Sequence, residues 1–327
     1  MTIKAKVVTD SVSTDNIRLT TMELTYPRFI HAEFMTHRMF SRNASSSRAI
    51  PTSTMIDNIE KEGAEPIHWG KNQPGMQANA ELEWDALVQT RTAWIAARDA
   101  AVKHARRMND LGAHKQIVNR ILEPFAHITV VVTATEYNNF FHLRCHKDAQ
   151  PEIKELAEKM EEAMDSSEPF LRQHGEWHLP YTDDDDVEAA IKKAIADSDQ
   201  IGAASLEFID QRSTTLMCAI SAARCARVSY LTHDKRRPSV DEDMKLYDRL
   251  MRSSPMHASP TEHQATPDRM VYYGSVSVKG WENPHFHGNF VGWQQFRKQH
   301  LGENVTTNGF KVREENKSNV VSLAGAR

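Results

Sequence analysis

The segment "HITVVVTATEYNNFFHLR", residues 127–144, is the strongest constraint on what this chain can fold into. Its β-branched run suits a buried strand, because side chains branched at Cβ pack well on a pleated surface and lose rotamer freedom in a helix. After that run the chain turns into another segment. A second stretch, "IRLTTMELTYP" (17–27), reads as a strand on its threonine and aliphatic content. Pro27 suits the first turn of a helix that would run through Ile30 and Phe34 to about Phe40. Helical patterns occupy residues 80–110, 150–167, the stretch after the aspartate quartet Asp183–Asp186, and most of 203–230. The quartet reads as negative charge complementing a helix N-terminus. Residues 51–78, with Pro51, Pro66 and Pro74, read as an irregular excursion, and residues 305–327 as a loose polar tail. These elements imply an α+β fold, a mixed sheet flanked by helices.

Composition removes several function classes. At 327 residues, 40% hydrophobic and 26% charged, the chain is long enough for one large core or two modest ones. A net charge of −4 gives no overall basic footprint for a nucleic acid polymer, so any phosphate must be gripped by local arginine clusters. The start "MTIKAKVVTD" has no apolar signal region and no window has a membrane-spanning apolar run, which predicts a cytoplasmic protein without a membrane partner. Three cysteines, Cys145, Cys218 and Cys225, form no CxxC pair, as expected in a reducing compartment.

Three clusters hold a high density of anion-reading groups. The first is His37, Arg38, Ser41, Asn43, Ser46 and Arg48 in "THRMFSRNASSSR" (36–48). The second is Arg120 in "VNRILEP" with Arg144 in "NNFFHLRCHKDAQPEI". In the third, "SPMHASPTEH" (254–263), His257, His263 and Glu262 bracket a proline turn. A lone loop arginine is ordinarily a solvated charge, and an asparagine such as Asn139 is ordinarily a turn residue. The joint presence of forked guanidinium groups and hydroxyl donors fits phosphate and planar heterocycles. A metal reading of His142, Cys145 and His146 fails on ligand number, since zinc sites generally take four, and no metal is expected.

The first cluster resembles the RHRxxSxNxxSxR signature of flavin-dependent thymidylate synthases, departing only at Thr36, where the family has arginine. "LRCHKDAQPEI" is similar to the family's LRxxxxAQxEI segment, and "VNRILEP" to its arginine before a proline. "CARVSYLTH" and "HASPTEH" resemble the block that opens family members, here placed after the signature as if the chain were circularly permuted. Circular permutation is tolerated where the old termini lie close together. After that block, "VYYGSVSVKGW" reads as a strand, and "GNFVGWQQFRKQ" faintly resembles the family helix that leads into the signature. The resemblance implies a single domain over 1–304 with permuted segment order and helical insertions at about 80–110 and 153–200, and reductive methylation of dUMP with 5,10-methylenetetrahydrofolate, FAD and NADPH, in a homotetramer whose sites combine subunits. It assigns Arg144 to catalysis, and Glu33, Ser46, Ser47, Arg48, Arg120 and Arg144 to the nucleotide. His37, Arg38, Asn43, Asn139, His257, Ser259 and Glu262 fall to flavin or folate. Glu33, Ala44 and Asp148 stand where the family has glutamine, glutamate and histidine. Two alternatives follow: hydroxymethylation of dUMP or use of dCMP on the same scaffold, and a non-catalytic nucleotide- or flavin-binding relative.

Overall fold

Five strands, β1 (Lys4–Ser13), β2 (Arg18–Pro27), β3 (Ser41–Ala44), β4 (His127–Ala134) and β5 (Phe170–Arg172), form a sheet in the order β3-β4-β2-β1-β5. The β1–β5 pair is parallel and the other pairs are antiparallel, so the sheet is mixed and the fold α+β, as the sequence implies. The structure is a computed structural model that describes residues 3–202, 205–230, 238–273 and 278–304. The expected tail at 305–327 lies outside the described residues, as do residues 231–233 of "CARVSYLTH" and 274–277 of "VYYGSVSVKGW".

One face of the sheet is apolar. Met22, Leu24 and Tyr26 lie opposite Val132, Val130 and Ile128 on the neighbouring strand, and all six are buried. Helices α5 (Asn138–Arg144) and α6 (Pro151–Asp165) cover this face with Phe140, Ile153, Leu156 and Met160. Each such side chain contributes roughly 1.5–3 kcal/mol by leaving water. Leu24→Ala would cost about 2–5 kcal/mol. The opposite face is polar. Ser11 Oγ meets His178 Nδ1 at 2.9 Å, and His178 Nε2 meets Thr21 Oγ1 at 2.8 Å. The chain of contacts continues from Thr21 to Thr133 at 2.6 Å and from Thr133 to His263 Nδ1 at 2.8 Å. Burial pushes both His178 and His263 down to about 3, so both are neutral. The C-terminal half is thus fastened to the sheet by directional hydrogen bonds.

Between β2 and β3 the chain departs from expectation. A one-turn 3₁₀ helix (Arg28–Ile30) leads into α1 (His31–Phe34), which stops at Phe34 and does not reach Phe40. Thr36 Oγ1 takes the carbonyl of Glu33, and Arg42 Nη1 takes those of Met35 and His37, both at 3.0 Å. Satisfying these carbonyls from the side ends the helix and lets Phe40 pack against Phe34 and Phe140. Residues 51–78 are not wholly irregular either. Helix α2 (Thr52–Glu62) follows Pro51 and buries Met55, Ile56 and Ile59 in a cluster that includes Val102 and Ala105 of α3 (Trp84–Asp110). The short α4 (Lys115–Val118) follows.

Helices α7 (Asp184–Ile201), α8 (Leu206–Tyr230) and α9 (Val240–Met251) pack together in the C-terminal half. Asp183 caps α7 as the quartet predicts, but Asp186 does more. Its carboxylate takes Arg224 Nη1 at 2.6 Å and Nη2 at 2.7 Å, while Arg224 Nε and Arg227 Nε donate to Asp243. Beyond α9 lie short strands β6 (Ala265–Pro267), β7 (Met270–Tyr273), β8 (Val278–Trp281) and β9 (Trp293–Gln295). "GNFVGWQQFRKQ" therefore supplies β9 and a 3₁₀ turn (Phe296–Gln299), not the helix it faintly resembles. Its Trp293 and Phe290 are drawn into a core with Leu19, and an α-helix there would not pair β9 with β6.

Candidate active site

Strand β3 carries the motif "SRNA", and candidate site side chains gather at its two ends. At the start, Arg144 Nε donates to His37 Nε2 at 3.0 Å, joining groups 107 residues apart. His37 is buried, with its ring edge-on to Phe140. Burial, then the positive charges of Arg144 and Arg42, push its pKa down to about 4. The imidazole is therefore neutral and accepts at Nε2, which places its proton on Nδ1. Arg144 makes no other hydrogen bond or ion pair among the described residues, so its two amino groups remain available.

Alternation along β3 sends Ser41 and Asn43 to the polar face of the sheet. Ser41 Oγ donates to Asn289 at 3.0 Å and accepts from Gln295 at 3.2 Å. Asn43 is 4% exposed, and its amide side chain bonds no described residue. Its amide offers a donor and an acceptor to a ligand with hydrogen-bonding edges. Arg42 points the other way and secures the loop bearing His37 and Arg38.

At the far end of β3 the chain enters a loop whose residues alternate in and out. Ser45 and Ser47 are buried, Ser46 is half-buried and Arg48 exposed. Ser47 Oγ donates to Glu123 at 2.5 Å, and the same carboxylate oxygen takes Arg120 Nη1 at 3.0 Å. Ser46 and Arg48 make no side-chain contact of this kind among the described residues. The two ends of β3 are about 10 Å apart at 3.3 Å per residue. One chain thus brings Arg144 to His37 and Arg120 to the loop of Ser47, and keeps the two pairs at opposite ends of a strand.

The third cluster lies against the start of β3. A 3₁₀ turn (Ser259–Glu262) exposes His257 and Ser259, and Glu262 pairs with Arg297. Gln295 Nε2 donates to the Glu262 carbonyl at 3.0 Å and bridges to Ser41 and Asn289. Glu33, Arg38 and Asn139 are exposed, with no side-chain partner among the described residues. Sequence reasoning missed Arg42, Asn119, Glu123, Gln295 and Asn289. Asn119 and Glu123 flank Arg120 within a quoted motif, and Gln295 and Asn289 sit in "GNFVGWQQFRKQ", so only their three-dimensional partners distinguish them. Among the metal candidates, His146 faces Asp148 at 3.6 Å and Cys145 faces Glu161 at 3.5 Å. No group of three metal-ligating side chains occurs among the described residues, nor any helix long and apolar enough to cross a membrane.

Comparison with known proteins reports the same region. Residues 16–170, just under half of the chain, match the family described as thymidylate synthase complementing protein. No curated protein sequence matches the chain. A UMP/dUMP methylase, PolB from Streptomyces cacaoi, bound with 5-Br UMP, is 19% identical with a TM-score of 0.41, covering 50% of this chain and 88% of its own. The same methylase bound with 5-Br dUMP is 17% identical, at a TM-score of 0.40 and coverages of 50% and 90%. Thymidylate synthase X from Helicobacter pylori, with FAD and dUMP, is 16% identical at a TM-score of 0.32, covering 45% of this chain and 67% of its own.

Proposed function

We propose that the chain is a flavin-dependent enzyme that methylates dUMP to dTMP, taking its carbon from 5,10-methylenetetrahydrofolate and its reducing power from NADPH through FAD. The observation that carries this reading is the Arg144–His37 pair, which joins two of the three motif clusters in the region matching the family. The Asn43 amide, without a partner among the described residues, and the exposed Arg38 support a flavin at the start of β3, with Glu262 nearby. Bound there, reduced flavin would supply the hydride. The docking of 258–263 on β3 supports a single domain with permuted segment order.

The chain's own contribution is electrostatic. Arg144, placed on the edge of the uracil, favours the N3-deprotonated ring by its fixed positive charge and so raises electron density at C5. Neutral His37 accepts from Nε and holds the guanidinium in one orientation without adding a competing charge. The cysteines do not suit a covalent route. Burial, then Glu161, pushes the Cys145 thiol up to about 11, and burial raises Cys218 and Cys225 further. Ser46, Arg48 and Arg120 take the phosphate and ribose end, where bidentate guanidinium geometry matches phosphate. Because the two ends of β3 hold separate parts, the reading includes a homotetramer in which a second copy brings them onto one ligand, meeting exposed His257 and Ser259.

Incubating the purified chain with FAD, NADPH, methylenetetrahydrofolate and dUMP, then weighing the nucleotide product, tests this. A methyl gain on dUMP is expected. The exposed Glu33 carboxylate and the Ala44 substitution motivate the second reading, and a hydroxymethyl gain or turnover of dCMP would select it. Retained flavin with no dUMP-dependent NADPH oxidation would favour the non-catalytic relative.

A further inference from the structure

The geometry points to Asn119 and Glu123 as positioning residues that lock the loop bearing Ser46 and Arg48 onto the turn bearing Arg120, so that the phosphate grip exists before the nucleotide arrives. This rests on the nucleotide reading above and assigns two residues that it does not use. Asn119 is 1% exposed and fully engaged: Nδ2 donates to the carbonyls of Ser47 at 2.7 Å and Ile50 at 2.9 Å, and Oδ1 accepts from Thr52 Oγ1 at 2.9 Å. Glu123 adds a second fastening. Its Oε1 accepts from Ser47 Oγ at 2.5 Å and Arg120 Nη1 at 3.0 Å, and lies 3.3 Å from Arg28 Nη2.

Apart from the two arginine contacts of Glu123, these bonds fall on loop backbone or on inward-facing Ser47 and Thr52. The hydroxyl of Ser47 has a single proton, and Glu123 takes it. What the clamp leaves untouched is the outward pair, Ser46 and Arg48, together with the rest of the Arg120 fork. A carboxylate inside an anion grip weakens that grip by charge alone. Its presence beside three donors is understandable if what it contributes is geometry, because a guanidinium fork held in place loses less freedom on binding. Charge and geometry therefore predict opposite signs for its removal.

The test is dUMP titration of the intact flavin-loaded chain, wild type against Glu123→Ala, Glu123→Gln and Asn119→Ala, with amide hydrogen exchange of residues 45–52 measured in parallel. Positioning predicts that Glu123→Ala weakens dUMP about tenfold, the size of one charge-assisted hydrogen bond. Exchange in the loop should rise and kcat at saturating dUMP should hold. Glu123→Gln, which keeps an acceptor, should lose less, and it carries the test if the alanine variant does not fold. Unchanged or tighter dUMP binding in Glu123→Ala, with wild type binding normally, overturns the positioning role and leaves the nucleotide reading standing. Failure of wild type to bind dUMP overturns both, and the exchange data then report only a structural clamp.

Discussion

The two ends of strand β3 are built on different principles. At its start, Arg144 and His37 meet across 107 residues around a buried aromatic cluster, and burial sets the charge state of the imidazole. At its end, a loop is pinned by neutral and charged hydrogen bonds that leave half-buried Ser46 and exposed Arg48 without a side-chain partner among the described residues. On the proposed reading, the first arrangement tunes electronics and the second holds a shape. An enzyme on this plan separates rate from affinity along one four-residue strand.

The sharpest way to break this contrast is Arg144→Ala. Turnover should fall about 10²–10³-fold or more, as for loss of a key electrostatic donor, while flavin remains bound. Full activity would remove the catalytic assignment. Arg48→Ala should act at the other end, raising KM for dUMP about 10–100-fold with little change in kcat, the signature of lost uniform binding. If both variants depressed kcat alike, the division of labour would be wrong. Acid should act on the fastening of the polar sheet face. His178 and His263 sit near 3 when folded and near 6.5 when unfolded, so the unfolded chain binds the extra protons. Their stabilisation is complete above about pH 6.5 and is lost as pH falls toward 3. A melting temperature several degrees lower at pH 5 than at pH 7 is expected, and no change between these values would contradict the buried neutral assignment. Ser46→Ala should be the mildest, a few-fold in KM, measured by the same kinetics.

Legibility in the sequence follows the apolar face. The runs of β2 and β4 are readable from their β-branched and aliphatic content, and the helix after Gln150 because its buried residues repeat with helix period. Strand β1 is not legible, because buried Asp10 and Ser11 look like loop residues until Arg18, Thr20 and His178 pair with them. The end of α1 at Phe34 hid for a similar reason: Arg42, a non-motif position, takes the carbonyls that stop the helix. In the site, His37 with Arg144 is legible as motif content, but its closure is not. Glu123 is one carboxylate among many until Ser47, 76 residues away, donates to it.

The central claim is that the groups at the start of β3 hold a flavin against a pyrimidine nucleotide. The most direct measurement is the visible spectrum of the purified chain with FAD, followed on adding NADPH with and without dUMP. A bound flavin band that bleaches with NADPH, at a rate that dUMP changes, and that Arg144→Ala leaves bound, is the predicted result. A chain that retains no flavin, or whose spectrum is indifferent to both NADPH and dUMP, would contradict it.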